Sequence, residues 1–109
     1  MSVKLPKPIG SYVDGYNARD VKKALASFSE NALVQDEGKT YRGTKAIGQW
    51  LEETIGRYSP ILTPSKIETI GAETVVSTAV AGNFPGSPVN LAFRFTLDRE
   101  HIAELNIVQ

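Results

Sequence analysis

The sequence of 109 residues predicts an α+β fold, in which a curved antiparallel sheet wraps around three N-terminal helices. The prediction depends on a change of period along the chain. Up to position 60, most apolar side chains recur at helical spacing, whereas after position 60 they alternate with polar side chains, as in strands. An antiparallel sheet with one apolar face needs a cover, which the helices can supply. We therefore expect a single domain that covers residues 1–109.

The first two helices are predicted to form a hairpin. Pro8 suits the first position of a helix, and an apolar stripe follows at i, i+3, i+4 and i+7, formed by Ile9, Tyr12, Val13 and Tyr16. After a break at residues 17–19, Asp20 is a suitable N-cap for a short second helix. The inner face of that helix is predicted to comprise Val21, Ala24, Leu25 and Phe28.

Residues 31–43 are predicted to contain a strand, a turn at Glu37-Gly38 and a return strand. Leu33 and Val34 give the first strand its apolar character, and Asp36 lies at its end. The Asp36 carboxylate can be a catalyst at the rim of an apolar pocket, where burial would raise its pKa. It can also be an ordinary turn residue in contact with solvent.

The return strand leads into a third helix, for which Thr44 is the predicted N-cap. The apolar side chains of this helix recur at helical spacing through Ile47, Trp50 and Tyr58, and Pro60 is expected to end it.

The rest of the chain predicts four strands in a meander, near residues 62–70, 73–84, 89–97 and 102–108. The clearest alternation places Phe93 and Phe95 on the inner face and Arg94 on the outer face. A cross-strand ion pair between Arg94 and Glu104 is therefore expected. A small sheet curved around helices leaves a concavity, and small-molecule sites form in such places.

Composition excludes several classes of function. Twelve Lys and Arg residues balance twelve Asp and Glu residues, so no basic surface indicates nucleic-acid binding. The chain has no cysteine for a disulfide or a thiolate site, and the single His101 cannot form a metal site alone, so we expect no metal and no cofactor. No signal peptide and no run of about 20 apolar residues is present. We expect a soluble, cytoplasmic protein without a membrane partner.

Several stretches spread over nearly the whole chain carry a family resemblance. They are residues 28–36, Phe-Ser-Glu-Asn-Ala-Leu-Val-Gln-Asp; residues 41–47, Tyr-Arg-Gly-Thr-Lys-Ala-Ile; residues 90–95, Asn-Leu-Ala-Phe-Arg-Phe; and residues 102–105, Ile-Ala-Glu-Leu. In these stretches the chain resembles the NTF2-like superfamily, specifically its SnoaL-like and ketosteroid-isomerase-like members. The resemblance implies a cone-shaped, cystatin-like α+β fold. It does not imply one function, because the superfamily includes isomerases, cyclases, hydrolases, dehydratases and non-catalytic modules.

The resemblance also implies roles for particular residues. Asp36 matches the general base of the isomerase branch, and Tyr12 matches the tyrosine that donates a hydrogen bond to the oxyanion. The second oxyanion donor of that branch corresponds to Phe93, which cannot donate. Because the loss of one such donor typically lowers the rate about 100- to 1,000-fold, steroid isomerisation itself is not expected. The cyclase branch resembles the chain in fold, but the inward positions of the late strands offer no acid.

These considerations predict an apolar pocket for a small apolar molecule with a polarised oxygen. The residues expected to line it, in addition to Asp36 and Tyr12, are Tyr16, Phe28, Val34, Tyr41, Trp50, Tyr58 and Phe93. Each of the aromatic residues can instead be an ordinary core residue.

Two alternatives to an enzyme remain open. One is a non-catalytic binding or dimerisation module whose cavity is filled by its own side chains. The other is a protein-interaction domain with an exposed apolar patch. The outer sheet face is predicted to carry small residues such as Asn90, Ala92 and Thr96, which suits burial against a second copy. Since many NTF2-like proteins associate through this surface, the resemblance implies a homodimer.

Overall fold

The computed structural model describes residues 4–109, which form helices and strands in the predicted order. The helices are α1 (Lys7–Asn17), α2 (Val21–Ala26) and α3 (Gly43–Tyr58). The strands are β1 (Phe28–Asp36), β2 (Lys39–Arg42), β3 (Ile61–Ile70), β4 (Glu73–Ala81), β5 (Val89–Asp98) and β6 (His101–Val108). None of the helices in this part of the chain combines the length and the apolarity that crossing a membrane requires.

Helices α1 and α2 form the predicted hairpin. The whole predicted stripe of α1 is buried, from Ile9 to Tyr16. Asp20 caps α2, because its carboxylate accepts a hydrogen bond from the backbone N–H of Lys23 at 3.1 Å. The prediction of Phe28 on the inner face of α2 is wrong, since the helix ends at Ala26 and Phe28 begins β1. The chain enters the sheet at this point, and the N–H of Ile102 donates a hydrogen bond to the carbonyl of Ser27 at 2.8 Å.

Helix α3 begins directly from strand β2. Arg42 occupies the N-cap position without a side-chain cap, so the prediction of Thr44 as the N-cap is wrong. Gly43 has a φ of +86°, which permits the abrupt change from strand to helix. At the other end, Ser59 adopts the left-handed conformation before Pro60, and the helix ends there as predicted.

The sheet is mixed, with the strand order β2-β1-β6-β5-β4-β3. Strands β3 to β6 form the predicted antiparallel meander, and β1 and β2 form an antiparallel hairpin. Strand β1 pairs with β6 in parallel, with Val34 opposite Leu105 and Gln35 opposite Asn106. The sheet is thus mostly antiparallel, and this parallel pair is the exception to the predicted antiparallel arrangement. Parallel pairing needs a long crossover, and the segment from β2 to β5 provides it.

The inner face of the sheet and the helices enclose an aromatic core. The ring of Tyr12 packs edge-on against Phe28 at 5.5 Å and against Phe95 at 5.9 Å, measured between ring centroids. On the outer face, Arg94 forms its ion pair with Glu73 at 2.7 Å, so the predicted pair with Glu104 is wrong. Both acids lie diagonally across a neighbouring strand from Arg94, so alternation along the strands does not distinguish between them.

Two side chains tie the end of α1 to the start of β3. The Asn17 amide donates to the carbonyl of Leu62 at 2.9 Å and accepts from the N–H of Leu62 at 2.8 Å. The guanidinium of Arg19 donates to the carbonyl of Ser59 at 2.7 Å and to that of Pro60. These contacts hold the α1 hairpin against the end of α3, and they thereby fix the distance between two helices that flank the sheet.

A matched pair of glycine substitutions tests the close approach of α1 to α2. An alanine Cβ at Gly15 would lie 2.6 Å from the backbone nitrogen of Ala24, whereas a Cβ at Gly56 in α3 would meet no atom within 4 Å. We expect Gly15→Ala to lower the free energy of unfolding by about 1–3 kcal/mol through overpacking. Gly56→Ala should raise it by roughly 0.5–1 kcal/mol through helix propensity. Urea denaturation measures both values, and equal effects would contradict the described packing.

Candidate functional site

A cavity of about 400 Å³ lies between α1, the β1–β2 hairpin, α3 and the inner face of the sheet. Helix α1 contributes Tyr12 and Tyr16, and the hairpin contributes Asp36 and Tyr41. The remaining walls come from α3 and the meander, including Trp50, Tyr58, Leu91, Phe93 and Ile107. The volume is within the range of small-molecule sites.

Most of the residues predicted for the site border this cavity. The exceptions are Phe28 and Val34, which the structure places in the core instead. Phe28 packs against the ring of Tyr12, and Val34 is fully buried between Tyr41 and Leu105 in the sheet. Their apolar character indicated burial correctly, but both side chains are enclosed by protein atoms and do not reach the cavity.

The position of Asp36 is fixed by a tight hairpin. Asp36 pairs with Lys39 across the two-residue turn Glu37-Gly38. Both turn residues have positive φ, +52° and +76°, as a type I′ turn requires. The Asp36 Oδ2 atom accepts a hydrogen bond from the Trp50 Nε1–H at 3.2 Å. The carboxyl group is therefore held at the cavity wall, half-buried.

The surroundings of Asp36 raise its pKa. Burial is the largest cause, because it penalises the charged form, and the charge of Glu37 acts in the same direction. The hydrogen bond from Trp50 and the backbone of Glu37 oppose this effect, since both favour the carboxylate. A carboxyl group with a raised pKa can exchange protons closer to neutral pH, and groups of this kind concentrate at functional sites.

Tyr12 presents an unpartnered hydrogen-bonding group at the same cavity. Its side chain is fully buried, and within residues 4–109 its hydroxyl has no hydrogen-bond partner. Burial raises the pKa of Tyr12 well above its ordinary value, as it does for Tyr16, so both phenols stay protonated. Buried hydroxyls nearly always have partners, so the unpartnered Tyr12 O–H is an unusual feature of the cavity wall.

Four charged residues that were not predicted for the site also border the cavity: Glu37, Lys39, Glu53 and Arg57. The Arg57 guanidinium lies 3.7 Å from Glu53 and 5.4 Å from the centre of the Tyr58 ring. Residues 53 and 57 follow Trp50 at i+3 and i+7, so helical spacing was a signal for them.

Phe84 also borders the cavity, although the sequence predicted it within β4. Strand β4 ends at Ala81, and Phe84 lies in the following loop with its ring edge-on to Tyr58 at 6.0 Å. By contrast, His101 is exposed at the start of β6 and does not border the cavity. Within residues 4–109, no group of three or more His, Cys, Asp or Glu side chains could hold a metal ion.

Comparison with known proteins gives matches among solved structures. No protein-family model matches the chain, and no curated protein matches it. A Sinorhizobium meliloti protein, provisionally described as a polyketide cyclase, is 33% identical, with 94% of each chain covered and a TM-score of 0.90. A hypothetical Catenulispora acidiphila protein with a ketosteroid isomerase-like fold, in complex with trimethylamine, is 16% identical, with 97% of this chain and 87% of that chain covered and a TM-score of 0.83.

A third similar structure is SalBIII, an epoxide hydrolase/cyclase-like enzyme with a role in pyran ring formation in salinomycin. It is 20% identical, with 93% of this chain and 86% of that chain covered and a TM-score of 0.80. At this identity, as for the Catenulispora acidiphila protein, the likeness shows the fold alone.

The three helices and the six-stranded mixed sheet around the cavity define an NTF2-like, cystatin-like α+β fold. The 33% identity to the Sinorhizobium meliloti protein extends over nearly the full length of both chains. The chain belongs to the same family as this provisionally described polyketide cyclase, and proteins with a ketosteroid isomerase-like fold are further structural neighbours. The resemblance inferred from the sequence is thus confirmed.

Replacement of Asp36 by asparagine should change the pH dependence of stability. Because burial raises the pKa of the Asp36 carboxyl, the folded protein binds this proton more tightly than the unfolded chain does. The wild type therefore loses stability as the pH rises from about 3.8, the ordinary pKa, through the raised folded-state pKa. Asp36→Asn lacks this loss, so its melting temperature relative to the wild type should increase as the pH rises from about 3.8 through the raised pKa of the folded protein. A constant difference would show that the carboxyl group is solvated, and a decreasing one would show that the fold stabilises the carboxylate; either would contradict the raised pKa.

Proposed function

We propose that this protein is an acid–base enzyme of the isomerase, cyclase or lyase type that acts on a small, largely apolar molecule with a polarised oxygen. In this proposal Asp36 is the general acid or base, and Tyr12 donates a hydrogen bond to the ligand oxygen. The observation that carries the proposal is that Asp36 and Tyr12, whose buried hydroxyl has no partner within residues 4–109, both border one cavity.

The chemistry follows from the protonation states of the two groups. With a carbonyl oxygen hydrogen-bonded to Tyr12, a proton on the adjacent carbon becomes more acidic, and the Asp36 carboxylate accepts it. Return of the proton to a different carbon gives an isomer. Attack of the enolate carbon on a second carbonyl of the same molecule forms a ring, and Asp36 then returns the proton to the new alkoxide. Departure of a leaving group gives lyase chemistry.

The lining and the relatives support a carbonyl-rich substrate. Aromatic and aliphatic side chains line the cavity together with five charged ones, which suits an apolar body that carries polar groups. The Sinorhizobium meliloti relative is provisionally described as a polyketide cyclase, and polyketides carry several carbonyl groups. Phe93, which the family resemblance matches to the second oxyanion donor, lines the cavity and cannot donate a hydrogen bond, and this disfavours steroid isomerisation.

A second candidate is a non-catalytic binding module for a small organic amine. The observation that favours it is that a carboxylate and several aromatic rings line the same cavity. Aromatic rings bind ammonium groups in other proteins through cation–π interactions. The Catenulispora acidiphila protein of the same fold is in complex with trimethylamine. A module with a filled cavity has less support, because about 400 Å³ remains open.

A ligand screen separates the two candidates. We expect apolar ketones, epoxides or lactones to raise the melting temperature, and mass spectrometry to detect conversion of one of them by the wild type. Asp36→Asn should still bind this compound but convert it at least about 100-fold more slowly. Tyr12→Phe, which loses a hydroxyl without an internal partner, should fold normally and convert it roughly 100-fold more slowly.

The screen includes trimethylamine as a control compound. Stabilisation of the wild type by the amine, its loss in Asp36→Asn and no conversion of any carbonyl compound would favour the binding module. Unchanged conversion by Asp36→Asn would rule out Asp36 as the general acid or base.

The proposal includes a homodimer that forms through the outer face of the sheet. Small residues occupy its centre, as at Ala79 and Ala92, and Ile61 and Ile70 are 43% and 49% exposed at its edge. We expect light scattering to give about twice the chain mass of 11.9 kDa. Ala92→Arg should give the monomer mass, whereas Ala26→Arg, exposed on α2, should leave the dimer intact. A monomeric wild type would contradict the proposal.

A further inference from the structure

We propose that Trp50 is a positioning residue for Asp36 and that Tyr41 in turn fixes the Trp50 ring. The inference rests on the proposed function, because it explains how the Asp36 carboxyl is oriented for proton transfer. Its starting point is the hydrogen bond from Trp50 Nε1–H to Asp36 Oδ2 at 3.2 Å, which joins residues 14 positions apart in the chain.

The hydrogen bond restricts the carboxyl group and leaves one of its oxygens for the ligand. A carboxylate at the end of a hairpin can rotate about its side-chain bonds, and proton transfer needs a defined orientation. The indole engages Oδ2, so Oδ1 is the oxygen that the proposal assigns to proton exchange. An indole N–H can donate but cannot accept, and therefore it orients the carboxylate without competing for the transferred proton.

The indole is itself held by burial and by a stacking contact. Trp50 is 5% exposed on α3, and its ring stacks on Tyr41 with 5.9 Å between the centroids and 30° between the planes. Tyr41 lies on β2, opposite Val34 on β1, and β1 ends at Asp36. The hairpin thus carries both the carboxyl group and the ring that supports the indole. Helix α3 and the hairpin are coupled by two contacts, one polar and one aromatic.

The surroundings of Asp36 determine the direction in which loss of this hydrogen bond changes the Asp36 pKa. Burial raises the pKa of Asp36, and the Trp50 N–H lowers it. The other titratable groups that border the cavity are Tyr12 and Tyr16 from α1, Glu37, Lys39 and Tyr41 from the hairpin, and Glu53, Arg57 and Tyr58 from α3. The facing strands contribute apolar side chains such as Leu91, Phe93 and Ile107. Loss of the indole N–H therefore leaves burial less opposed.

The test is a carbon-13 NMR titration of the Asp36 side-chain carboxyl in the free protein, with the resonance assigned by its disappearance in Asp36→Asn. In Trp50→Phe, which keeps an aromatic ring, the titration midpoint should move to higher pH by roughly one unit. Tyr41→Phe keeps the stacked ring and should leave the midpoint unchanged. Tyr41→Leu removes the ring and should move it in the same direction as Trp50→Phe, by less.

The same titration can overturn the inference. An unchanged or lower midpoint in Trp50→Phe would mean that Trp50 only fills space. If Trp50→Phe does not fold, the wild-type indole N–H resonance decides, because it should shift with the Asp36 titration and lose this shift in Asp36→Asn. Absence of the shift overturns the inference. No ligand is needed, so a failed ligand screen counts against the proposed function alone.

Discussion

The parallel pairing of β1 with β6 determines where the candidate site lies. An isolated two-stranded hairpin such as β1–β2 is only marginally stable in water. Pairing with β6 joins this hairpin to the six-stranded sheet, with Val34 beside Leu105 and Gln35 beside Asn106. Asp36 is the next residue, so its place at the cavity wall follows from this register. Since β6 is the last strand, the site is complete only when nearly the whole chain has folded.

The second constraint is the packing of α1 on the sheet. Burying a hydroxyl without a partner costs about 1–3 kcal/mol, and the Tyr12 hydroxyl is in this situation. Each favourable ring contact contributes about 0.5–1.5 kcal/mol beyond the burial of its area, and Tyr12 contacts the rings of Tyr16, Phe28 and Phe95. The ring contacts can therefore offset the unpartnered hydroxyl. Local conflicts of this kind are expected at functional sites.

Local patterns in the sequence predicted the features that depend on neighbouring residues. The stripe from Ile9 to Tyr16, the Asp20 cap and the inward Phe93 and Phe95 are all evident from spacing. Contacts between distant residues were not predictable in the same way. The Asn17 amide meets the backbone of Leu62 45 residues away, and no residue pattern marks such a pair.

The same distinction applies to the candidate site. The family resemblance selected Asp36 and Tyr12, and both border the cavity. It did not show that the Trp50 indole would reach the Asp36 carboxyl, because that contact depends on the angle between α3 and the hairpin. The prediction that Phe28 and Val34 line the cavity is wrong. Apolar residues that line a cavity have the same sequence pattern as apolar residues that are buried behind its wall.

Burial supports the proposed role of Tyr12 as a donor, but it opposes the proposed role of Asp36 as a proton acceptor. For Tyr12, burial raises the pKa and keeps the phenol protonated, so it remains a hydrogen-bond donor. For Asp36, burial alone would favour the neutral acid, which cannot accept a proton. The Trp50 N–H opposes this effect and keeps the carboxylate accessible, while the aromatic wall keeps it basic. The proposed acid–base chemistry on a carbonyl compound requires a donor and an acceptor on one cavity, and here burial maintains the donor whereas the Trp50 N–H maintains the acceptor.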